Sequence, residues 1–148
     1  MNDNKMKSLK GLMQKDKLVM TLKKMQDEKI ISSSTSGFRC GYGGNHNQFY
    51  VPFVIVFNDQ TKWMIFSSNS IRSDRMCIQQ WNAEHIKRID PLFSKAVIVV
   101  NSENRYKNNE ASAIDRYKKA IKEADYYSAL DEVVYLDELE DLIKTHAK

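Results

Sequence analysis

Apolar positions between residues 50 and 100 gather into three short runs, Val51–Phe57, Trp63–Ser67 and Ala96–Val100. Runs this short, rich in Val, Ile, Phe and Trp, predict strands. The first two flank the polar turn Asn58-Asp59-Gln60-Thr61, which predicts a hairpin. A helical pattern over about 75–89 separates the second run from the third. The predicted order is therefore hairpin, crossover helix and a further strand in the same sheet. Neither hairpin strand alternates apolar with polar, so the sheet is expected to be covered on both faces.

Around this centre the periodicity is helical. Leu18, Leu22 and Met25 recur at i, i+4 and i+7, and Met6, Leu9 and Met13 at i, i+3 and i+7. This predicts a helix over 5–29, with a break allowed at Gly11 and Asp16. Residues 31–48 are rich in Ser, Gly and Asn, which suits a loop or a bent edge strand near 37–43. Ser73 or Asp74 can cap the helix over 75–89, whose expected buried stripe is Ile78, Trp81, His85 and Ile89. A polar loop over 101–109 leads to a helix over about 110–125 with Ile114, Tyr117, Ile121 and Ala124 inward. Glu132–Leu136 reads as a strand. Asp137 and Glu140 read as the capping box of a last helix. Without repeats, linkers or low-complexity tracts, residues 1–148 are expected to form one domain.

Composition narrows the class. Hydrophobic content of 42% and charged content of 28% are ordinary for a globular protein. No apolar run approaches the roughly 20 residues that span a bilayer. The first residues, MNDNKMKSLKGLMQKDK, lack the apolar core of a signal peptide, so a cytoplasmic location is expected. Cys40 and Cys77 fit no metal-ligand spacing and make no disulfide framework, which leaves two reduced thiols. The net charge of +4 is uneven. Residues 1–100 carry 15 Lys and Arg against 8 Asp and Glu, and residues 101–148 carry 8 against 11. A basic body permits a polyanionic partner, although a solvated basic surface fits the same count.

The order helix, strand near 37–43, two hairpin strands, helix and strand resembles the αβββαβ core of the PD-(D/E)XK nuclease superfamily, which includes most type II restriction endonucleases. The resemblance covers residues 5–100. It implies an α/β fold with a restriction-endonuclease-like mixed β-sheet flanked by helices, extended here by a C-terminal helix-strand-helix. In that family Pro-Asp opens one core strand and (D/E)-x-Lys closes the next, and the carboxylates bind Mg²⁺. This chain has Val51-Pro52-Phe53 and Phe66-Ser67-Ser68 at those places. A turn centred on Asp59-Gln60 pairs residue 53 with residue 66, so Phe53 and Phe66 are expected as a cross-strand pair. Slipping the register by one gives Ser67-x-Asn69, again without a lysine. Some family members take an acidic ligand from the following helix. That nominates Glu84 as a catalytic metal ligand for Mg²⁺ and Asp74 as a second carboxylate. An ion pair with Arg88 and a helix cap are the structural alternatives for these two residues.

Two polar segments suit contact with double-stranded DNA. Arg39, Tyr42, Asn45, His46 and Gln48 supply donors and a ring on the Gly-rich segment. Ser67, Ser68, Asn69, Ser70, Arg72, Arg75, Gln79 and Gln80 follow the hairpin, where the family's cleft meets DNA. Their alternative is an ordinary polar loop and helix cap. The expected function is DNA binding by a restriction-endonuclease-like protein that cleaves through an atypical metal site. The alternative is a degenerate nuclease domain acting as a DNA-binding or protein-interaction subunit. Either admits a homodimer or a second subunit.

Overall fold

A computed structural model gives the architecture. It describes residues 3–41, 48–68, 73–101, 111–123 and 127–147, without the side chains of 3–12, 73, 74, 111–113, 116, 117 and 120. The elements are α1 (Asp3–Asp27), β1 (Ser33–Gly41), β2 (Gln48–Val56), β3 (Lys62–Ser68), α2 (Ser73–Ile89), β4 (Phe93–Val100), α3 (Ala111–Glu123), β5 (Glu132–Tyr135) and α4 (Leu136–Ala147). The strands form one sheet in the order β1-β2-β3-β4-β5. The β1–β2 and β2–β3 pairs are antiparallel, and the β3–β4 and β4–β5 pairs are parallel. Strand β2 alone therefore runs against the rest.

The sheet is covered on both faces, as its unbroken apolar runs require. On one face α1 and α4 place Leu18, Leu22, Met25, Leu139 and Ile143 over Phe53, Ile55, Trp63, Ile65, Val97 and Val99. On the other, α2 and α3 place Met76, Ala83, Ile86 and Ile114 over Val54, Met64, Phe66, Ala96, Ile98 and Val100. The result is a three-layer α/β/α domain with a mixed sheet.

Helix α1 runs through Gly11 and Asp16 without a break. It ends in a Schellman turn. Lys29 takes a φ of 61°, its N–H reaches the Gln26 carbonyl at 3.0 Å, and the Ile30 N–H reaches that of Met25 at 3.0 Å. Strand β1 spans Ser33–Gly41, starting earlier than the residues 37–43 expected for it. The start of α4 differs from the expected capping box. Glu138, not Glu140, reaches back to accept the Tyr135 N–H at 3.0 Å. Glu140 instead bridges Lys24 of α1 at 2.8 Å and Lys144 at 2.9 Å. These two cations hold the Glu140 carboxyl below its usual value.

The hairpin between β2 and β3 closes more tightly than its four polar residues suggest. The Gln60 N–H bonds to Phe57 O at 2.9 Å, and Phe57 N–H bonds to Thr61 O at 2.8 Å. Gln60, with φ at 79°, takes the left-handed position of a three-residue loop. The register is consequently Phe53↔Ile65, not Phe53↔Phe66. One residue of slip moves a side chain to the other face of a sheet. Phe53 and Phe66 are both buried on adjacent strands, but Phe53 faces α1 and Phe66 faces α2.

A second departure lies at Pro52. Phe49 and Val51 face α2, yet so does Val54, while Phe53 and Ile55 face α1. The alternation changes phase between Val51 and Phe53. Gly37, opposite Pro52 on β1, has a φ of 71°, a conformation that glycine adopts without strain. The β2–β3 ladder runs from Val56↔Lys62 only as far as Phe53↔Ile65. Beyond that point β2 stays with β1, and Phe66, Ser67 and Ser68 of β3 pair with Ile98, Val99 and Val100 of β4. The sheet forks at the C-terminal end of β3.

Two predictions follow from this packing. Phe53→Leu and Phe66→Leu should each cost about 1 kcal/mol. Because the rings lie on opposite faces, the double mutant should be additive within about 0.5 kcal/mol in denaturant titrations. Phe53→Leu with Ile65→Val, on one face, should show measurable coupling. The second concerns Asp90, which accepts from Lys62 Nζ at 2.9 Å and from Leu92 N–H at 3.0 Å. Chiefly the Lys62 hydrogen bond holds its carboxyl below the ordinary range. A depressed folded pKa contributes stability above the unfolded value of about 3.9 and loses it as pH falls through the folded one. Asp90→Asn should therefore cost up to about 1 kcal/mol at neutral pH, and that difference should shrink below about pH 4 in urea melts.

Candidate nucleic-acid interface

The fork brings three things to one end of the sheet: the last residues of β3, the start of α2 and the middle of α1. Parallel strands β3, β4 and β5 all end there, at Ser68, Val100 and Tyr135. In open α/β sheets, binding crevices form outside the carboxyl ends of parallel strands.

Gln14 of α1 holds this end from below. It lies four residues before Leu18 on the same stripe and is 2% exposed. Its Nε2 donates to Ser67 Oγ at 2.9 Å, and to the carbonyls of Ser68 and Val99 at 3.3 Å each. Two carbonyls fix the orientation of the amide, because a flipped Oε1 would face two acceptors. Oε1 itself is buried and meets no hydrogen-bond partner among the described residues. A glutamine thus ties α1 to β3 and β4 at this end of the sheet.

The residues nominated from sequence separate into groups. Arg39 is exposed on edge strand β1, with its guanidinium 4.8 Å from the centre of the Tyr50 ring, its cross-strand partner. Arg75 is exposed in the first turn of α2. Ser68, Gln79 and Gln80 are buried at 0%, 9% and 7%. Gln80 Oε1 accepts the Ala129 N–H at 2.8 Å, fastening α2 to the segment before β5. These three side chains face the interior and not solvent. His46, Asn69 and Arg72 lie outside the described residues, as do Tyr42, Asn45 and Ser70. Asp74 is the second residue of α2, and its side chain is likewise outside them.

Glu84 lies eleven positions beyond Ser73, about 16 Å along the helix axis. Its carboxylate is paired with Arg88 at 2.7 Å, the structural alternative given above for this residue. Among the described residues no three His, Cys, Asp or Glu side chains converge in a group able to hold a metal. Mg²⁺ requires oxygen ligands. The hairpin positions Phe53, Ile65 and Phe66 offer none, so they do not fit the ion.

Helix α2 is turned from its expected orientation. Its buried side is Met76, Gln79, Gln80, Ala83 and Ile86, whereas Ile78 is 62% and Trp81 58% exposed. His85 and Ile89 are half-buried. Both stripes have helical spacing. The buried one carries polar anchors to distant segments, although Gln79 Oε1 on it is buried without a hydrogen-bond partner among the described residues. Besides the Gln80 bond, Lys87 Nζ bonds to Ala129 O at 2.9 Å and to Asp131 Oδ2 at 2.7 Å, and Asp131 Oδ2 accepts the Ala96 N–H at 2.8 Å. The small Ala83 also lets the helix approach the sheet. Arg75, Ile78, Trp81, His85 and Arg88 are left on or beside the outer face.

No family model matches the chain, and no curated protein or solved structure matches it.

The Gln14 node yields a test. Gln14→Leu should cost about 1–3 kcal/mol, the range for losing buried hydrogen bonds. Gln14→Glu should cost more at neutral pH, because a carboxylate would face the Ser68 and Val99 carbonyls. Its folded pKa would be raised, so its stability would be greatest below the unfolded value of about 4.3 and fall as pH rises above it. Urea melts across pH 3–7 would show this. A Glu variant no less stable than the Leu variant at pH 7 would contradict the assigned geometry.

Proposed function

We propose that this chain is a DNA-binding domain built on the restriction-endonuclease-like plan, with its hairpin metal positions given over to packing. The plan is supported by the element order, an αβββαβ run followed by helix, strand and helix, and by β2 running against the four other strands. The observation that carries the loss of the metal positions is that the hairpin positions Phe53, Ile65 and Phe66 are apolar and packed in the two cores, with Gln14 bonded to Ser67 at the strand end. DNA binding is supported by the charge of residues 1–100 and by the exposed Arg39 on β1 and Arg75 in the first turn of α2. Fold likeness does not establish function, so the weight rests on these surface cations.

The cations act as phosphate clamps that release counterions. Binding to a DNA duplex should weaken steeply with salt. Arg75→Ala should flatten the log–log slope by about one unit, because one phosphate contact contributes about that much. No duplex binding at low salt, or a slope that Arg75→Ala leaves unchanged, would overturn the reading. A cleavage assay with Mg²⁺ separates binding from cutting. Cleavage that Glu84→Gln abolishes, with duplex affinity kept, would instead assign the helix carboxylate a metal-ligand role and revive the atypical nuclease.

A further inference from the structure

Two rings of helix α2, Trp81 and His85, cluster with Phe49 of β2. Phe49 of β2 is 8% exposed. Its ring stacks on His85 with centroids 4.5 Å apart and planes 14° apart. Trp81 lies 4.2 Å from His85 and 6.3 Å from Phe49. His85 Nδ1 sits 2.8 Å from the Trp81 carbonyl, which can only accept, so Nδ1 carries the proton and donates. The indole is thus braced from beneath, and 58% of its surface faces solvent beside Ile78, itself 62% exposed.

Arg75 and Arg88 are exposed on the same helix, Arg88 paired with Glu84 at 2.7 Å. A large flat π-surface, braced from beneath, on a helix whose first turn carries the exposed Arg75, suits a ligand that is both aromatic and anionic. Base–aromatic stacking is tolerant of sequence and contributes about 1–3 kcal/mol per base. The rigid mounting means that little side-chain entropy is lost when the indole is covered.

We infer that Trp81, braced by His85 and Phe49 on the outer face of α2, is a stacking platform for an unpaired base of a single-stranded nucleic acid. This deepens, and rests on, the DNA-binding reading above. The platform contributes affinity without phosphate contacts, so it is separable from the arginines by its salt behaviour.

The experiment uses the full chain with a short oligothymidylate and with a duplex of similar length. Of the two tryptophans, Trp63 is fully buried at 0% exposure, so quenching of emission on binding reports Trp81. Oligothymidylate should quench the wild-type protein. Trp81→Ala should weaken oligothymidylate binding by about 5- to 100-fold while leaving its salt slope and duplex affinity unchanged. Trp81→Phe, which retains a ring, should lose the quench and recover much of the affinity. Arg75→Ala should flatten the slope for both probes. If Trp81→Ala binds oligothymidylate like wild type while the duplex still binds, the platform is wrong and the DNA-binding reading stands. If neither probe binds at low salt, the DNA-binding reading fails and takes the platform with it. A dimer that Trp81→Ala dissociates, with oligothymidylate affinity unchanged, would assign this face to a second copy and overturn the inference.

Discussion

The parallel ladder between β3 and β4 is the constraint on which the rest of the domain depends. Its seven register pairs run from Lys62↔Phe93 to Ser68↔Val100. Trp63 to Phe66 and Ala96 to Val100 are all buried. A ladder buried on both faces has to be covered by helices on both, and a parallel pair must be joined by a crossover. Helix α2 supplies the crossover and one cover. Helices α1 and α4 supply the other, and α3 repeats the crossover to add β5 on the same side as α2. The Glu140 bridge to Lys24 and Lys144 is peripheral to this. It orders two exposed helices, as surface ion pairs do, at small energetic gain.

Strand β2 obeys a different constraint. It lies inside the sheet and contains Pro52, which has no N–H for a ladder. In step with Val56, whose carbonyl accepts from Ser32, Pro52 turns its nitrogen toward β1, where Gly37 takes a positive φ; the β2–β3 ladder ends one residue away at Phe53, where the strand changes phase. The outcome is a fork at the strand ends. Three elements then have polar groups to satisfy in one place. Gln14 answers by sharing two hydrogens among Ser67 Oγ and the carbonyls of Ser68 and Val99.

Most of the architecture was legible from periodicity. The runs around Val51–Phe57, Trp63–Ser67 and Ala96–Val100 are strands, the hairpin and crossover are in place, and the two-sided cover follows from their lack of alternation. What escaped were choices that tertiary context makes. The Phe53–Phe66 pairing missed by one residue, because three loop residues with Gln60 at φ 79° close a hairpin that four polar residues were expected to close. The α2 stripe was misassigned because two stripes have helical spacing, and apolarity alone favours Ile78 and Trp81. The competing stripe wins through Gln80, Lys87 and Asp131, whose partners lie some 40 residues away and are invisible to local pattern. Gln14 was overlooked for the converse reason. It is a polar residue in step with Leu18 and Leu22, and that position was the available signal.

The orientation of α2 leaves two large apolar side chains outward, and the inferred stacking platform turns on that choice. Burying an isoleucine-sized side chain is worth about 1.5–3 kcal/mol, and an indole offers more area still. Turning Ile78 and Trp81 inward would bring Met76, Ala83 and Ile86 out, so the apolar gain is only the difference between the two stripes. Hydrogen bonds at Gln80 and Lys87 weigh against that difference, at about 1 kcal/mol each for a neutral bond and somewhat more for a charged one. Single exposed apolar residues are common and need no explanation. An adjacent pair is different when the indole is braced by His85 and Phe49. The stacking platform inferred for Trp81 requires that ring to stay out of the core. The polar stripe of α2 meets this requirement by anchoring the helix through the Gln80 and Lys87 bonds, in the rotation that leaves Trp81 outward.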